Sequence, residues 1–197
     1  MKSRLRSAKV MGIVLAVLAA VGLLASFTLL HETLEVAKSP TYEPSCNINP
    51  LISCSSVMSR PESEVLGLPF AAFGVAAFSA LLTFAVLLAA GSKFAPWVWK
   101  AALLASLGGM AAIIWMIVLS LVSFGTICPW CFVTWLTTIG IFWTLVSYVG
   151  AARPIKLPKS CDASAKLWVK FAPMILAAMF VALLFIIFLR FNEALLG

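Results

Sequence analysis

Cys128-Pro129-Trp130-Cys131 interrupts an uncharged, mostly apolar run that extends from Ala101 to Ala152. One helix needs roughly 20 apolar residues to cross a bilayer. The run is too long for one such helix and long enough for two joined by a tight turn. The four residues therefore fall at that turn, at the membrane surface. Two cysteines three apart share one side of a helix and can close a small disulfide ring that exchanges readily. A second pair, Cys46 and Cys54, lies in another loop. Fold and function turn on whether both pairs meet on one side of the membrane.

Composition bounds the class. Of 197 residues, 63% are hydrophobic and 11% charged, against about half and a quarter in soluble domains. This describes an all-α integral membrane protein. The formal charge of +7 comes from lysines and arginines at helix ends rather than a patch on a folded domain. It argues for membrane orientation and against a nucleic-acid partner. The cysteine count of 5 is odd, so pairing four leaves Cys161 over.

Working outward, Lys2, Arg4, Arg6 and Lys9 precede an uncharged run, Val10 to Leu30. It exceeds a secretory h-region of about 7–15 residues and no clear cleavage site follows. It predicts a retained first transmembrane helix. A polar loop follows from His31 to Leu66. Within it, Asn49-Pro50 predicts a helix start. Leu51, Ile52, Val57 and Met58 would form the apolar side of a short surface helix carrying Cys54, with Cys46 in the looser segment before it. Helix two is predicted over about Gly67–Ala90, with Pro69 in its first turn, and helix three over Trp97–Phe124. Helix four opens near Cys128 and ends before Arg153. Residues 1–152 thus make a four-helix bundle with an external loop at 31–66. Residues 153–170 form a basic linker, and 171–197 a fifth transmembrane helix, Phe171 to Leu189, with a short tail. Trp97, Trp99, Trp143 and Trp168 fit interfacial anchoring or lipid contact. Gly108-Gly109 and Gly74 suggest close helix approach.

Five spans divide the ends and loops into two sets. The N-terminus, the 91–100 connection and the 153–170 linker hold 11 Lys and Arg; the first loop, the Cys-Pro-Trp-Cys turn and the C-terminus hold three, Lys38, Arg60 and Arg190. The positive-inside rule makes the first set cytoplasmic. Both cysteine pairs then face outward, where disulfides persist, and the chain is expected in the plasma (inner) membrane with its C-terminus outside. Cys161 faces the cytosol.

The chemistry follows from thiolates. Cys128 and Cys131 at the start of helix four feel a helix dipole that favours negative charge. A C-x-x-C is also compatible with a zinc half-site or a static disulfide, although no His or carboxylate stands near it in the sequence. The pair Cys46 and Cys54 can close a disulfide that shuttles or one that only staples the loop. His31, the only histidine, reads as an interfacial polar residue. A redox disulfide at the bilayer surface needs an electron partner. The chain has no G-x-G-x-x-G on a strand, no C-x-x-C-H and no pair of haem-ligating histidines. A lipid-soluble quinone, also a two-electron couple, is what elimination and location leave.

The segments Cys46-Asn-Ile-Asn-Pro-Leu-Ile-Ser-Cys54-Ser-Ser-Val-Met-Ser59, Gly67-Leu-Pro-Phe-Ala-Ala-Phe-Gly74 and Cys128-Pro-Trp-Cys131 together resemble the bacterial branch of the vitamin K epoxide reductase family, over roughly residues 10 to 150. The resemblance implies a four-helix bundle around a quinone (menaquinone, ubiquinone or vitamin K-type). Bacterial members often continue through a fifth helix to a thioredoxin-like domain. Here the chain ends at Gly197, so a thioredoxin-fold, DsbA-like partner is expected as a separate protein. By the resemblance, Cys131 faces the quinone and forms the adduct with it, and Cys128 resolves this and exchanges with Cys54. Cys46 is then attacked by the partner's thiol, and a Cys54–Cys128 disulfide is the intermediate. Many relatives carry Asn at the position of Phe70, where it holds a quinone carbonyl. Phe70 cannot donate a hydrogen bond and equally suits plain packing, so the anchoring passes to a backbone group or to Ser59. Trp135 stands where vertebrate relatives have Tyr and can donate through its indole N–H. Gly74 borders the quinone.

The expected activity is a quinone-dependent thiol-disulfide oxidoreductase that drives disulfide formation in exported proteins. Reduction of vitamin K or its epoxide is the same chemistry run for the quinone's sake. An unrelated DsbB-type oxidase places its C-x-x-C in the first external loop, not the second. A soft-metal binder or transporter using four cysteines and a merely stapled structural protein are the readings from other classes.

Overall fold

The computed structural model describes residues 2–152, except 40, 48–51, 59 and 66, and beyond them only Met174, Ala177 and Val181. It is an all-α bundle. Four of its helices are long and apolar enough to cross a membrane, at Ala8–Lys38, Phe70–Ala89, Pro96–Val118 and Pro129–Gly150.

Helix α1 covers Lys2–Lys38, which at 1.5 Å per residue is about 55 Å. It outruns the expected Val10–Leu30 by more than two turns at the cysteine end, so the first loop begins near residue 39 rather than at His31. The reason is local. Residues 31–38 hold no Pro or Gly, Thr33 Oγ1 donates to Leu29 O, and Lys38 pairs with Glu35 one turn back at 2.7 Å. Helix propagation is cheap once started.

The expected helix start at Asn49-Pro50 lies outside the described residues, but the short helix α2 begins later, at Ser55–Met58. Ile52 is not helical: it forms a parallel bridge to Ile127. Cys54 therefore precedes the helix, and its carbonyl accepts from the Val57 and Met58 amides. A 3₁₀ turn at Pro61–Ser63 leads into a tight hairpin, β1 Glu64–Val65 and β2 Leu68–Pro69, that turns at Gly67. The hairpin takes up Gly67 and Pro69, so α3 runs from Phe70 to Ala89 with Pro69 as its N-cap.

Gly91 ends α3 in the left-handed region. Its amide bonds Leu88 O and that of Ser92 bonds Leu87 O, the two bonds of a Schellman stop. Helix α4, Pro96–Val118, opens on proline, whose missing N–H costs nothing at a first turn. It widens into π-type turns over Leu119–Phe124 and closes at left-handed Gly125. Helix α5 covers Pro129–Ala152. The predicted fifth transmembrane helix and the linker before it lie outside the described residues, except that Met174, Ala177 and Val181 are each helical.

Helix α1 packs along α3 and α5, and α5 also receives α4; the α3 and α4 backbones stay apart, with Phe84 of α3 reaching Trp99 of α4. One apolar cluster, centred on Leu15, Ala85 and Leu145, fills the end of the bundle away from the cysteines. Exposed Val17, Leu24, Leu104 and Ile114 form part of the outer surface, as expected of helices solvated by lipid. Two tryptophans depart from the expected interfacial role. Trp99 is buried, stacked on Tyr148 at 5.1 Å and edge-on to Phe84 at 5.4 Å. Trp143 is buried in the cluster around Ile113 and Ile139. Trp97 does face outward, and Trp168 lies outside the described residues.

Candidate functional site

The two cysteine segments meet at one end of the bundle. The Ile52–Ile127 bridge sets their register, and Cys54 and Cys128 follow it by two residues and one. Asn47 holds the loop side. Its Oδ1 accepts from the amides of Cys54 at 3.0 Å and Ser55 at 3.2 Å, and from Ser53 Oγ at 3.0 Å. Asn47 thus caps α2 from outside and pins the Cys54 backbone. On the other side Ser120 Oγ donates to Thr126 O at 2.6 Å, tying the approach to Cys128 onto the π-type turns.

Cys46 and Cys54 form a disulfide, whereas Cys128 and Cys131 are free thiols. Cys54 Sγ lies 3.1 Å from Cys128 Sγ. Cys46, Cys54 and Cys128 are all buried, in one cluster with Leu29 and Val57. The Cys128 thiol sits below the usual thiol range. The Cys131 thiol donates to its sulfur, and the backbone N–H groups of Cys131 and Trp130 add to the effect against the opposing pull of burial.

Beneath this cluster lies a cavity of about 680 Å³ between α3 and α4, walled by all four long helices. Cys131 lines it. So do Phe70, Gly74 and Trp135, while Ser59 lies outside the described residues. The cavity exists because α4 presents small residues there. Gly108 was expected to allow close helix approach; a Cβ on it would meet nothing within 4 Å. The glycine widens the gap instead of closing it. Gly74 does sit at a close approach, to Ser26 of α1.

The family model described as Vitamin K epoxide reductase family matches residues 13–146, from α1 into α5 and across all four cysteines of the site. The chain belongs to the vitamin K epoxide reductase family. No curated protein matches it. Membership makes it a membrane oxidoreductase of a quinone-linked family. The matched residues take in both cysteine segments, the whole of the spans on α3 and α4, and most of those on α1 and α5.

Three site residues escape sequence reasoning. Asn47 looks like any loop asparagine until its partners are known. Ser45 and Glu32 are the others: Ser45 Oγ donates to Glu32 Oε1 at 2.6 Å. Glu32 is only 5% exposed, and its Oε2 has no hydrogen-bond partner among the described residues. The signal was a carboxylate on the last turns of a membrane helix, which is costly unless it holds something. Here it holds the residue next to Cys46. Truncation leaves the Ser45 hydroxyl unpaired, at about 1–3 kcal/mol. Glu32→Ala should therefore speed limited proteolysis within residues 39–58 about tenfold, the factor for 1.4 kcal/mol of easier opening. Equal cleavage rates in variant and parent would mean that Glu32 does not hold the loop.

Proposed function

We propose that the protein oxidises an extracytoplasmic thioredoxin-fold, DsbA-like partner and passes the electrons to a membrane quinone, driving disulfide formation outside the cytoplasm. The observation that carries this is the 3.1 Å approach of Cys128 to the disulfide-bonded Cys54 above a cavity lined by Cys131.

The exchange balances as follows. A partner thiolate attacks Cys46, the Cys46–Cys54 bond breaks, and Cys54 leaves as a thiolate. The partner's second thiol then displaces Cys46, so the partner departs as a disulfide. Cys54 attacks Cys128 of an oxidised Cys128–Cys131 pair and releases Cys131. Cys46 attacks Cys54, restoring the first disulfide and freeing Cys128. The Cys128–Cys131 dithiol would return to a disulfide by giving two electrons and two protons to a quinone bound in the cavity. A lowered Cys128 pKa suits it to be a leaving and an attacking group alike.

The cavity fits the size of small-molecule sites, about 300–1,000 Å³, and its mostly apolar wall suits a quinone ring. When bound there, a quinone supplies the two-electron sink. Phe70 and Gly74 on α3 and Trp135 on α5 would bound it, with Trp135 able to donate through its indole. The distribution of Lys and Arg supports a cytoplasmic N-terminus and an external cysteine end. Menaquinone, ubiquinone and vitamin K-type quinones share the reacting ring. Reduction of vitamin K or its epoxide remains the second reading, favoured by the family's name. Cys46 and Cys54 are joined in a disulfide and so offer no thiolate to a metal ion in this state.

Detergent-purified protein should reduce an added quinone with dithiothreitol as electron source, followed by absorbance. Cys131→Ala should be inactive. Cys46→Ala should keep turnover with this small reductant and lose it with a reduced DsbA-like protein. Stoichiometric metal with no quinone reduction by any variant would sink the proposal.

A further inference from the structure

Six hydroxyl side chains line the cavity: Ser26, Thr33, Ser63, Ser106, Thr134 and Thr138. A hydroxyl inside a helix ordinarily donates to a carbonyl three or four residues back, and five of the six are committed to backbone in this way or nearly so. Thr33 donates to Leu29 O, Ser106 to Leu103 O, Thr134 to Cys131 O, Thr138 to Thr134 O, and Ser63 to Arg60 O. Ser26 is the exception. It is 2% exposed and its hydroxyl has no hydrogen bond to any described residue.

Gly74 explains how that hydroxyl stays uncovered. A Cβ at position 74 would lie 2.6 Å from Ser26 Oγ and 3.1 Å from Ser26 Cβ, so any other residue there would crowd Ser26. The missing side chain on α3 leaves the α1 hydroxyl room at the cavity wall. An uncommitted hydroxyl buried in apolar surroundings is costly, and a ligand acceptor would relieve that cost.

We infer that Ser26 is the α1 donor to a carbonyl oxygen of the quinone. This rests on the quinone reading above. A serine hydroxyl both donates and accepts, so the same group can serve a quinone carbonyl before reduction and a quinol hydroxyl after it. Ser26 supplies on α1 the hydrogen bond that Phe70 on α3 cannot make. It is a binding and orienting residue, and no electron or proton passes through it.

The test uses the oxidised full-length protein without reductant. Quinone affinity is read by quenching of tryptophan fluorescence, and the carbonyl stretch of the bound quinone by infrared difference spectroscopy. Ser26→Ala should weaken binding about five- to tenfold, as loss of one hydrogen bond does, and should return one carbonyl band toward its position in hydrocarbon. Thr28→Ala, on the same helix with its hydroxyl tied to Leu24 O, should change neither. Wild-type spectra test the idea even if Ser26→Ala fails to fold: at least one carbonyl must show a hydrogen-bonded shift. Two unshifted wild-type carbonyls, or Ser26→Ala affinity within twofold of wild type with an unchanged spectrum, overturn the role of Ser26 and leave the oxidoreductase proposal standing. Wild-type protein that neither binds nor reduces quinone overturns both.

Discussion

Replacing Cys46 and Cys131 together by serine should join Cys54 to Cys128 in a disulfide and reduce quinone turnover at least 10³-fold. Each replacement removes the sulfur that would otherwise resolve the bond. Without Cys46, nothing in the loop recaptures Cys54; without Cys131, nothing in the helix recaptures Cys128. The two sulfurs left are already 3.1 Å apart, and both backbones are held. The Ile52–Ile127 bridge and Asn47 fix one side, and the Ser120 bond to Thr126 fixes the other. Little chain entropy is left to lose, so the oxidised pair should persist. The loss of turnover follows from losing Cys131, whose removal alone should inactivate the protein, so the second replacement adds little to it.

The crosslink is read by mass spectrometry of non-reduced digests, which should show the Cys54 and Cys128 peptides joined. Free alkylation of both cysteines in oxidised double variant would show that the approach of the two sulfurs carries no exchange. In the wild type, the reverse exchange, in which Cys128 of the reduced pair attacks Cys54 of the Cys46–Cys54 disulfide and releases Cys46, depends on the Cys128 thiolate. The thiolate is present above the Cys128 pKa, which the Cys131 thiol holds below the usual thiol value, and is lost as pH falls through it. The exchange rate should therefore drop about tenfold per pH unit on the acid side, with the break at lower pH than for an ordinary cysteine.

The spans were legible because hydropathy over about 20 residues reports insertion directly. The tight turn at Cys128–Cys131 was legible because a run of that length has to fold back. The rotation of each helix about its axis was not legible. Trp99 sits near a span end, where tryptophan commonly faces the interface, yet it turns inward, as Trp143 does deeper in its own span. Gly108 and Gly74 carry the same residue type, and hydropathy cannot tell a gap from a contact; one opens the cavity and the other touches Ser26. Ser26, Leu29 and Thr33 share the spacing of one helix face and all line the cavity. That face was readable only once the cavity had a known side. The end of α1 was misplaced because polarity at His31 suggested a loop, while propensity and the Glu35–Lys38 pair continue the helix. The register of the two cysteine segments depends on a single backbone bridge between positions far apart in sequence, which no local pattern encodes.

Gly12→Leu should be the most destabilising single change outside the cysteines, with Gly12→Ala a weaker form of it. A Cβ at position 12 would stand 2.5 Å from Ala89 N, 2.8 Å from Ala89 Cα and 3.0 Å from Ala85 O. All three are backbone atoms of α3, so no rotamer change relieves the clash. Helices α1 and α3 must move apart, and Met11, Leu15, Ala85 and Leu88 in the same cluster lose contact. Overpacking of a close-packed interior typically costs about 1–3 kcal/mol, and a backbone-on-backbone collision belongs at the upper end. For a chain of this size about 3 kcal/mol lowers Tm by roughly 6–12 °C. Gly108→Ala is the matched comparison. Its Cβ meets nothing within 4 Å, and alanine gains up to about 1 kcal/mol of helix propensity over glycine, so its Tm should hold or rise. Thermal unfolding in one detergent, at one scan rate because such unfolding is often irreversible, compares them. Equal Tm values for Gly12→Leu and wild type would mean that α1 and α3 do not approach at Gly12. A lowered Tm should bring a functional consequence with it: the same α1–α3 seam brings Ser26 against Gly74. Prising it open at Gly12 should therefore weaken quinone binding even at temperatures where the variant stays folded.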